Sequence, residues 1–361
     1  MTIDQDKEEY QDLDAKHHKF ACLPWQIDEY DRIVRQQVAG KLSHSLLIVG
    51  QEFLGKQHFA FSIAAAMLCE NRTSESGFSC CACTGCHLFS AGTHPDFKVL
   101  KPEDSKLIKI EQIRTVTGWV NQTTQRGGKK VVIVHPAEQM THQSANALLK
   151  CLEEPAGDSL IMLVTNQPGR LLPTIRSRCQ LVEFHIPERS KSLSWLLTQP
   201  GFNKRVSDAV SGGVVRDAEI LLDISGGAPL AVIERFDEAF LERRNTIVNS
   251  FADLVTGRKT TQQASEIMSK TGAVDAISCM LDTVADCLKY SFCGDVKYVK
   301  NRDMFGKVEE ISACFDIEKL FDVSETLRVT RQELMSTSNP DQILLVESVL
   351  ISLKFLASSR P

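Results

Sequence analysis

The stretch HSLLIVGQEFLGKQHFAFSIAAAMLC, residues 44–69, decides the fold of the first half of the chain. SLLIV at 45–49 is a short apolar run of the kind buried as a strand. The turn GQEFLGKQ follows, and then strong helix formers including Ala64, Ala65, Ala66, Met67 and Leu68. Strand, glycine-rich turn and helix in that order make a phosphate-binding loop, with the pattern G-x-x-x-x-G-K-[ST]. Backbone N–H groups of such a turn cradle phosphate at a helix N-terminus, where the dipole favours an anion. Gly50, Gly55 and Lys56 stand in their places, and Lys56 would reach the outer phosphates. Gln57 occupies the position of the hydroxyl that ligates Mg²⁺.

Hydrolysis also needs an acid at the end of a later apolar strand. That strand reads VVIVHPAEQ, and His135 and Pro136 replace the expected Asp-Glu pair. Glu138 lies three residues past His135, where the following loop is expected. Two metal-binding positions are therefore altered. The loop is expected to be a non-hydrolysing site, holding ATP or ADP at rest or standing empty.

Outward from the loop, strand and helix alternate over residues 45–185. DFKVL (96–100) reads as a strand, and EQIRTVTGWVNQ as a helix with Ile113, Val116, Trp119 and Val120 on one face. VVIV (131–134) is a β-branched run suited to a sheet covered on both faces. THQSANALLKCLEE is a helix with Thr141 as its N-cap. SLIMLVT (159–165), a short helix at RLLPTIRSR, and QLVEF (180–184) complete the series. Such alternation predicts an α/β fold, a parallel sheet with helices on both faces. Residues 187–236 read as short helices broken at 200–201, 212–213 and 226–227, and the chain is helical from 237 onward. The expected units are a lead-in (1–20), an α/β domain (21–186), a small helical lid (187–236) and a helical domain (237–361).

The bulk numbers agree with a soluble protein of several domains. The 361 residues are 43% hydrophobic and 24% charged, which excludes disordered and fibrous classes. A net charge of −5 gives no overall basic signature for nucleic acid. The acidic start MTIDQDKEEYQDLDAKHHKF is no signal peptide, and the run at 59–69 is too short to span a bilayer. A cytoplasmic location and no membrane partner are expected.

Of the 12 cysteines, five lie between positions 69 and 86. Cys80, Cys83 and Cys86 form C-x₂-C-x₂-C, and Cys69 offers a fourth thiolate. Four thiolates in one excursion suit tetrahedral, structural Zn²⁺ with no open position. His87 is an alternative ligand, and Cys81 is surplus. A redox C-x-x-C pair or an iron–sulfur cluster are the competing readings. A basic, exposed zinc knuckle would suit nucleic acid, but this excursion is not basic.

TIRSRCQLVEF places Arg178 between Ser177 and Cys179, just before a strand. Such an arginine is either a solvated surface charge or a group that stabilises a phosphoryl transfer in a neighbouring protomer. Thr165 and Asn166, at the end of the SLIMLVT strand, sit where such folds often sense phosphate, and with no metal at the chain's own site a structural role is the equal alternative.

Together these motifs resemble the delta-prime subunits of the bacterial DNA polymerase III clamp loader, an AAA+ family. The matching text is HSLLIVG with its loop, the cysteine excursion, AGTHPDF (91–97), NALLKCLEEP (146–155) and LLPTIRSRCQ (171–180). It spans about 24–184 specifically and the remainder only in length and helical character. The resemblance implies an AAA+ module, a lid and a helical collar that oligomerises. It implies a pentamer with gamma or tau and delta subunits that loads the sliding clamp onto primed DNA. The complex is part of a DNA-directed DNA polymerase, a nucleotidyltransferase. Arg178 would be the finger given to a neighbour's ATP, and Cys69, Cys80, Cys83 and Cys86 the zinc ligands. The ATP-hydrolysing gamma or tau motor subunit is the alternative, and it should carry an intact loop and an Asp-Glu pair.

Overall fold

The structure is a computed structural model that describes residues 22–71, 77–103, 106–153, 157–199, 202, 213–237, 239–335 and 341–358. The expected lead-in (1–20) and the helix break at 200–201 lie outside the described residues, as do Gly212 and part of the cysteine excursion. The chain divides into two compact units, Met1–Lys191 and Ser192–Pro361.

The first unit is built on five parallel strands: β1 (Ser45–Gly50), β2 (Phe97–Leu100), β3 (Lys130–Val134), β4 (Ser159–Thr165) and β5 (Gln180–Phe184). Their order across the sheet is β2-β3-β4-β1-β5. Helices α1 (Ile27–Val38), α2 (Lys56–Leu68), α3 (Thr84–Ser90), α4 (Ile110–Val120), α5 (His142–Glu153) and α6 (Pro173–Arg176) join and flank the strands. The central strands are apolar at nearly every position because both faces are covered. All seven residues of β4 and all five of β3 are buried. Leu47, Val49, Val132, Val134, Ile161 and Leu163 share one core with Ile113, Leu148, Leu152 and Ile175 of the helices. Each such aliphatic side chain contributes roughly 1.5–3 kcal/mol on burial.

The α/β class read from the sequence holds, and β4 and β5 have the expected bounds. β2 begins at Phe97, one residue later than expected, and the Asp96 carboxylate just before it accepts the N–H groups of Gln125 and Arg126. Thr141 caps α5 as expected, its Oγ1 accepting Ser144 N–H at 3.1 Å. Two helices are additions: α1, and α3 within the cysteine excursion. Because β1 lies between β4 and β5, the turn after β1 and the end of β4 come side by side.

Among the described residues the second unit is helical. Between α7 (Arg189–Thr198) and α10 (Phe240–Val255) lie α8 (Val214–Ile224) and α9 (Pro229–Arg235). Leu196, Phe202, Leu221, Leu222, Val232 and Leu241 form one apolar core there. A second core joins α10 to α11 (Thr261–Thr271), α12 (Ala273–Cys293), α13 (Phe305–Ser312), α14 (Ile317–Leu334) and α15 (Gln342–Ser358). No helix among the described residues is long and apolar enough to cross a membrane.

Candidate functional site

The phosphate loop turns out of β1 through Gly50, whose added Cβ would lie 2.5 Å from the Phe184 carbonyl oxygen. This glycine is therefore required by the approach of β5, whatever the loop binds. Gly55, at φ +75°, is the N-cap of α2. Lys56 begins that helix, is 5% exposed, and donates Nζ to the Gln51 carbonyl at 2.6 Å. Burial depresses its pKa to about 8, against the opposing pull of Glu138 and Glu52. Gln57 lies in the first turn of α2.

The residues facing Lys56 form a small network of their own. Glu138, in a one-turn 3-10 segment, accepts Asn166 N–H at 3.4 Å, and Asn166 Nδ2 reaches Glu52 at 3.3 Å. The Thr165 hydroxyl is fully buried and accepts Gln167 N–H at 3.0 Å. His135, in the expected acid's place, has its pKa lowered by burial, and its Nδ1 makes no hydrogen bond among the described residues. Two carboxylates, Glu138 and Glu52, are thus linked through Asn166 beside Lys56. Sequence reading missed the other clamp on the loop. Gln26 Nε2 donates to the carbonyls of Leu54 (3.0 Å) and Gly55 (2.8 Å), and Trp25 Nε1 to that of Leu54. These contacts span nearly thirty positions, and no local pattern announces them.

Cys69 closes α2, Cys83 is the N-cap of α3, and Cys86 lies within α3. With Cys80 they bring four sulfur atoms within 4.8 Å of one another. The Cys69–Cys83 and Cys80–Cys86 sulfur distances are 4.0 and 3.9 Å. Four sulfurs at 2.3 Å from a central Zn²⁺ would stand about 3.8 Å apart, so the residues fit a tetrahedral metal. The N–H groups of Cys80, Cys83 and Cys86 donate to the sulfurs of Cys69, Cys80 and Cys83, each at 3.3 Å, as thiolates require. Burial pushes the Cys86 thiol up, as do the neighbouring sulfurs. As thiolates, the four sulfurs would need a cation among them. Cys81, at φ +55°, and His87 are exposed and lie outside the cluster.

The excursion is anchored to the sheet unit. Tyr30 donates its hydroxyl to the Gly77 carbonyl and stacks on Phe78 at 4.6 Å. Arg126 pairs with Glu70 beside Cys69. Gly85 packs so close to Leu68 that a Cβ would sit 2.6 Å from its carbonyl oxygen.

Arg178 lies between α6 and β5, at the opposite end of β1 from the phosphate loop. Its carbonyl accepts the Ser45 hydroxyl at 2.9 Å, and Ser45 is the first residue of β1. Six residues of strand, at about 3.3 Å each, put its backbone roughly 17–20 Å from Gly50. Its guanidinium donates Nη1 to the Thr174 carbonyl at 3.0 Å, and Nη2 meets Glu153 at 2.6 Å. Ser177 bonds its hydroxyl to Thr174, and the half-buried Cys179 packs on the core, its thiol pushed up to about 11 by burial. Neither neighbour offers a reactive group. Glu153, at the end of α5, is a partner that sequence reading did not single out.

Comparison with known proteins bears on most of the chain. Residues 25–188 match a family described as DNA polymerase III, delta subunit, and residues 238–354 match its C-terminal counterpart. DNA polymerase III subunit delta' of Pseudomonas aeruginosa is 32% identical over 331 residues, covering 91% of this chain and 96% of that protein. The Escherichia coli subunit of the same name is 29% identical over 332 residues, covering 92% and 95%. The Bacillus subtilis subunit delta' is 32% identical over 211 residues, covering 58% and 59%.

Proposed function

This chain belongs to the DNA polymerase III subunit delta' family, and from that premise we propose that it is a non-hydrolysing clamp-loader subunit that completes a neighbour's ATP site. Its partners are gamma or tau and delta subunits in a heteropentamer that places the sliding clamp on primed DNA. Arg178 is the residue it contributes, as an arginine finger toward the γ-phosphate held by an adjacent gamma or tau subunit. The observation that carries this reading is the placement of Arg178 at the far end of β1 from its own loop. An arginine side chain extends only about 7 Å, so this one serves no phosphate in its own chain.

Three features support the division of labour. His135 replaces the metal-binding acid, Gln57 the hydroxyl, and Lys56 is turned onto Gln51 and buried, with Glu138 and Glu52 offsetting only part of the cost of its charge. Any ATP or ADP at Gly50, Gly55, Lys56, Thr165 and Asn166 would be a resting ligand. Cys69, Cys80, Cys83 and Cys86 would hold Zn²⁺ as a cross-link between α2 and α3, with no part in phosphoryl transfer. Residues 187–236 would serve as the lid and 237–361 as the oligomerising collar, in the cytoplasm.

The test is Arg178→Ala in the complex assembled with its partner subunits. Assembly is expected to persist, while turnover at the adjacent site falls about 10³-fold or more. A clamp- and DNA-stimulated ATPase equal to wild type at every site would overturn the reading.

A further inference from the structure

We propose that Glu153 is a positioning residue for Arg178: its carboxylate holds the guanidinium in the free chain and yields it to the phosphate of the adjacent subunit's nucleotide. The inference rests on the finger reading above.

The pair is assembled by two consecutive residues, His44 just before β1 and Ser45 at its start. His44 Nε2 donates to the Leu152 carbonyl at 2.7 Å, which fixes the end of α5 beneath Glu153. Ser45 Oγ donates to the Arg178 carbonyl at 2.9 Å, which fixes the backbone of the arginine. The His44 carbonyl in turn accepts Ile161 N–H, so the corner is built into the sheet. Both backbones are therefore anchored to one rigid strand, and only the side chains can change partners.

The two ends of the guanidinium are held differently. Nη1 is fixed by a backbone carbonyl, that of Thr174, which cannot leave. Nη2 is held by Glu153 Oε1 at 2.6 Å, on a side chain that can rotate away. The side chains are 35% and 46% exposed, for arginine and glutamate respectively. A pair this exposed is screened by water and weak, whereas a buried one would resist exchange. A terminal phosphate carries more charge than a carboxylate and accepts from the same Nη2, so it displaces Glu153 from its single contact at small cost. Until then the carboxylate keeps the arginine extended in one direction and neutralised.

The experiment is an ATP titration of the assembled complex with wild type, Glu153→Gln, Arg178→Ala and the double variant. Removing the competing charge is expected to lower the half-saturating ATP concentration about two- to five-fold. The shift should shrink as salt rises, because salt already weakens the wild-type pair. In the Arg178→Ala background Glu153→Gln should change nothing further, since Glu153 acts only through that arginine. An unchanged or raised half-saturating concentration in Glu153→Gln, while Arg178→Ala still collapses turnover, overturns the positioning role and leaves the finger standing. An equal shift in the Arg178→Ala background overturns it too. If Arg178→Ala itself has no effect, the finger reading fails and this inference with it.

Discussion

Lys56 occupies a motif position, yet its surroundings are those of a buried charge. Burial holds its pKa at about 8 rather than 10.5, with Glu138 and Glu52 offsetting part of the cost. Below pH 8 the ammonium is charged in folded and unfolded chains alike, and the folded state carries the full penalty. As pH rises from 8 toward 10.5 the folded chain loses the proton first, so the penalty is relieved. Lys56→Met, which removes the charge at similar length, should therefore stabilise the chain at pH 7 by about 1–3 kcal/mol. The gain should fade by pH 10.5. Urea denaturation at both pH values checks this, and a variant less stable than wild type at pH 7 would refute it. Gly50 and Thr165 carry a similar lesson. Both fit the phosphate pattern in sequence, and both have a structural reason in the close approach of β5 and the turn after β4.

The elements read most clearly from sequence were the central strands, because runs such as SLIMLVT are apolar throughout and end at polar residues. Helix α3 was not legible. TGCHLFS has no helical apolar period, and its start is set by Cys83 accepting the N–H of Cys86. That link between α2 and α3 should depend on a metal. Elemental analysis is expected to find one Zn²⁺ per chain, and Cys83→Ser should lower both metal content and thermal stability. A loss on the order of 5–10 °C in Tm is expected. A metal-free chain melting at the temperature of the untreated one would rule out the structural role. The proposed finger obeys the same logic of elements. Its residue sits at a helix–strand junction that sequence could locate, beside a carboxylate that sequence did not pair with it.

At the scale of the whole molecule, contacts across long sequence separations hold the helical unit together. Arg244, on α10, is 2% exposed, and its Nη2 meets both oxygens of Asp303 at 2.7 Å. Its Nε and Nη1 make no hydrogen bond among the described residues, where Asp303 is its counter-charge. Asp303→Ala should cost about 3–5 kcal/mol by leaving that charge buried and unpaired. The double variant with Arg244→Met should recover most of the loss, as chemical denaturation would show; a single variant as stable as wild type would contradict this. The sequence alone determined the α/β alternation, the four clustered cysteines, the missing acid at 135 and the junction that holds Arg178. Each follows from apolar period, turn chemistry or spacing, which act over a few residues. Only the tertiary structure decided that Lys56 turns onto Gln51, that Gln26 grips the loop, and that Glu153 meets Arg178 at the far end of β1. Those contacts depend on strand order and register, which bring together residues whose own neighbours in the chain carry no trace of the meeting.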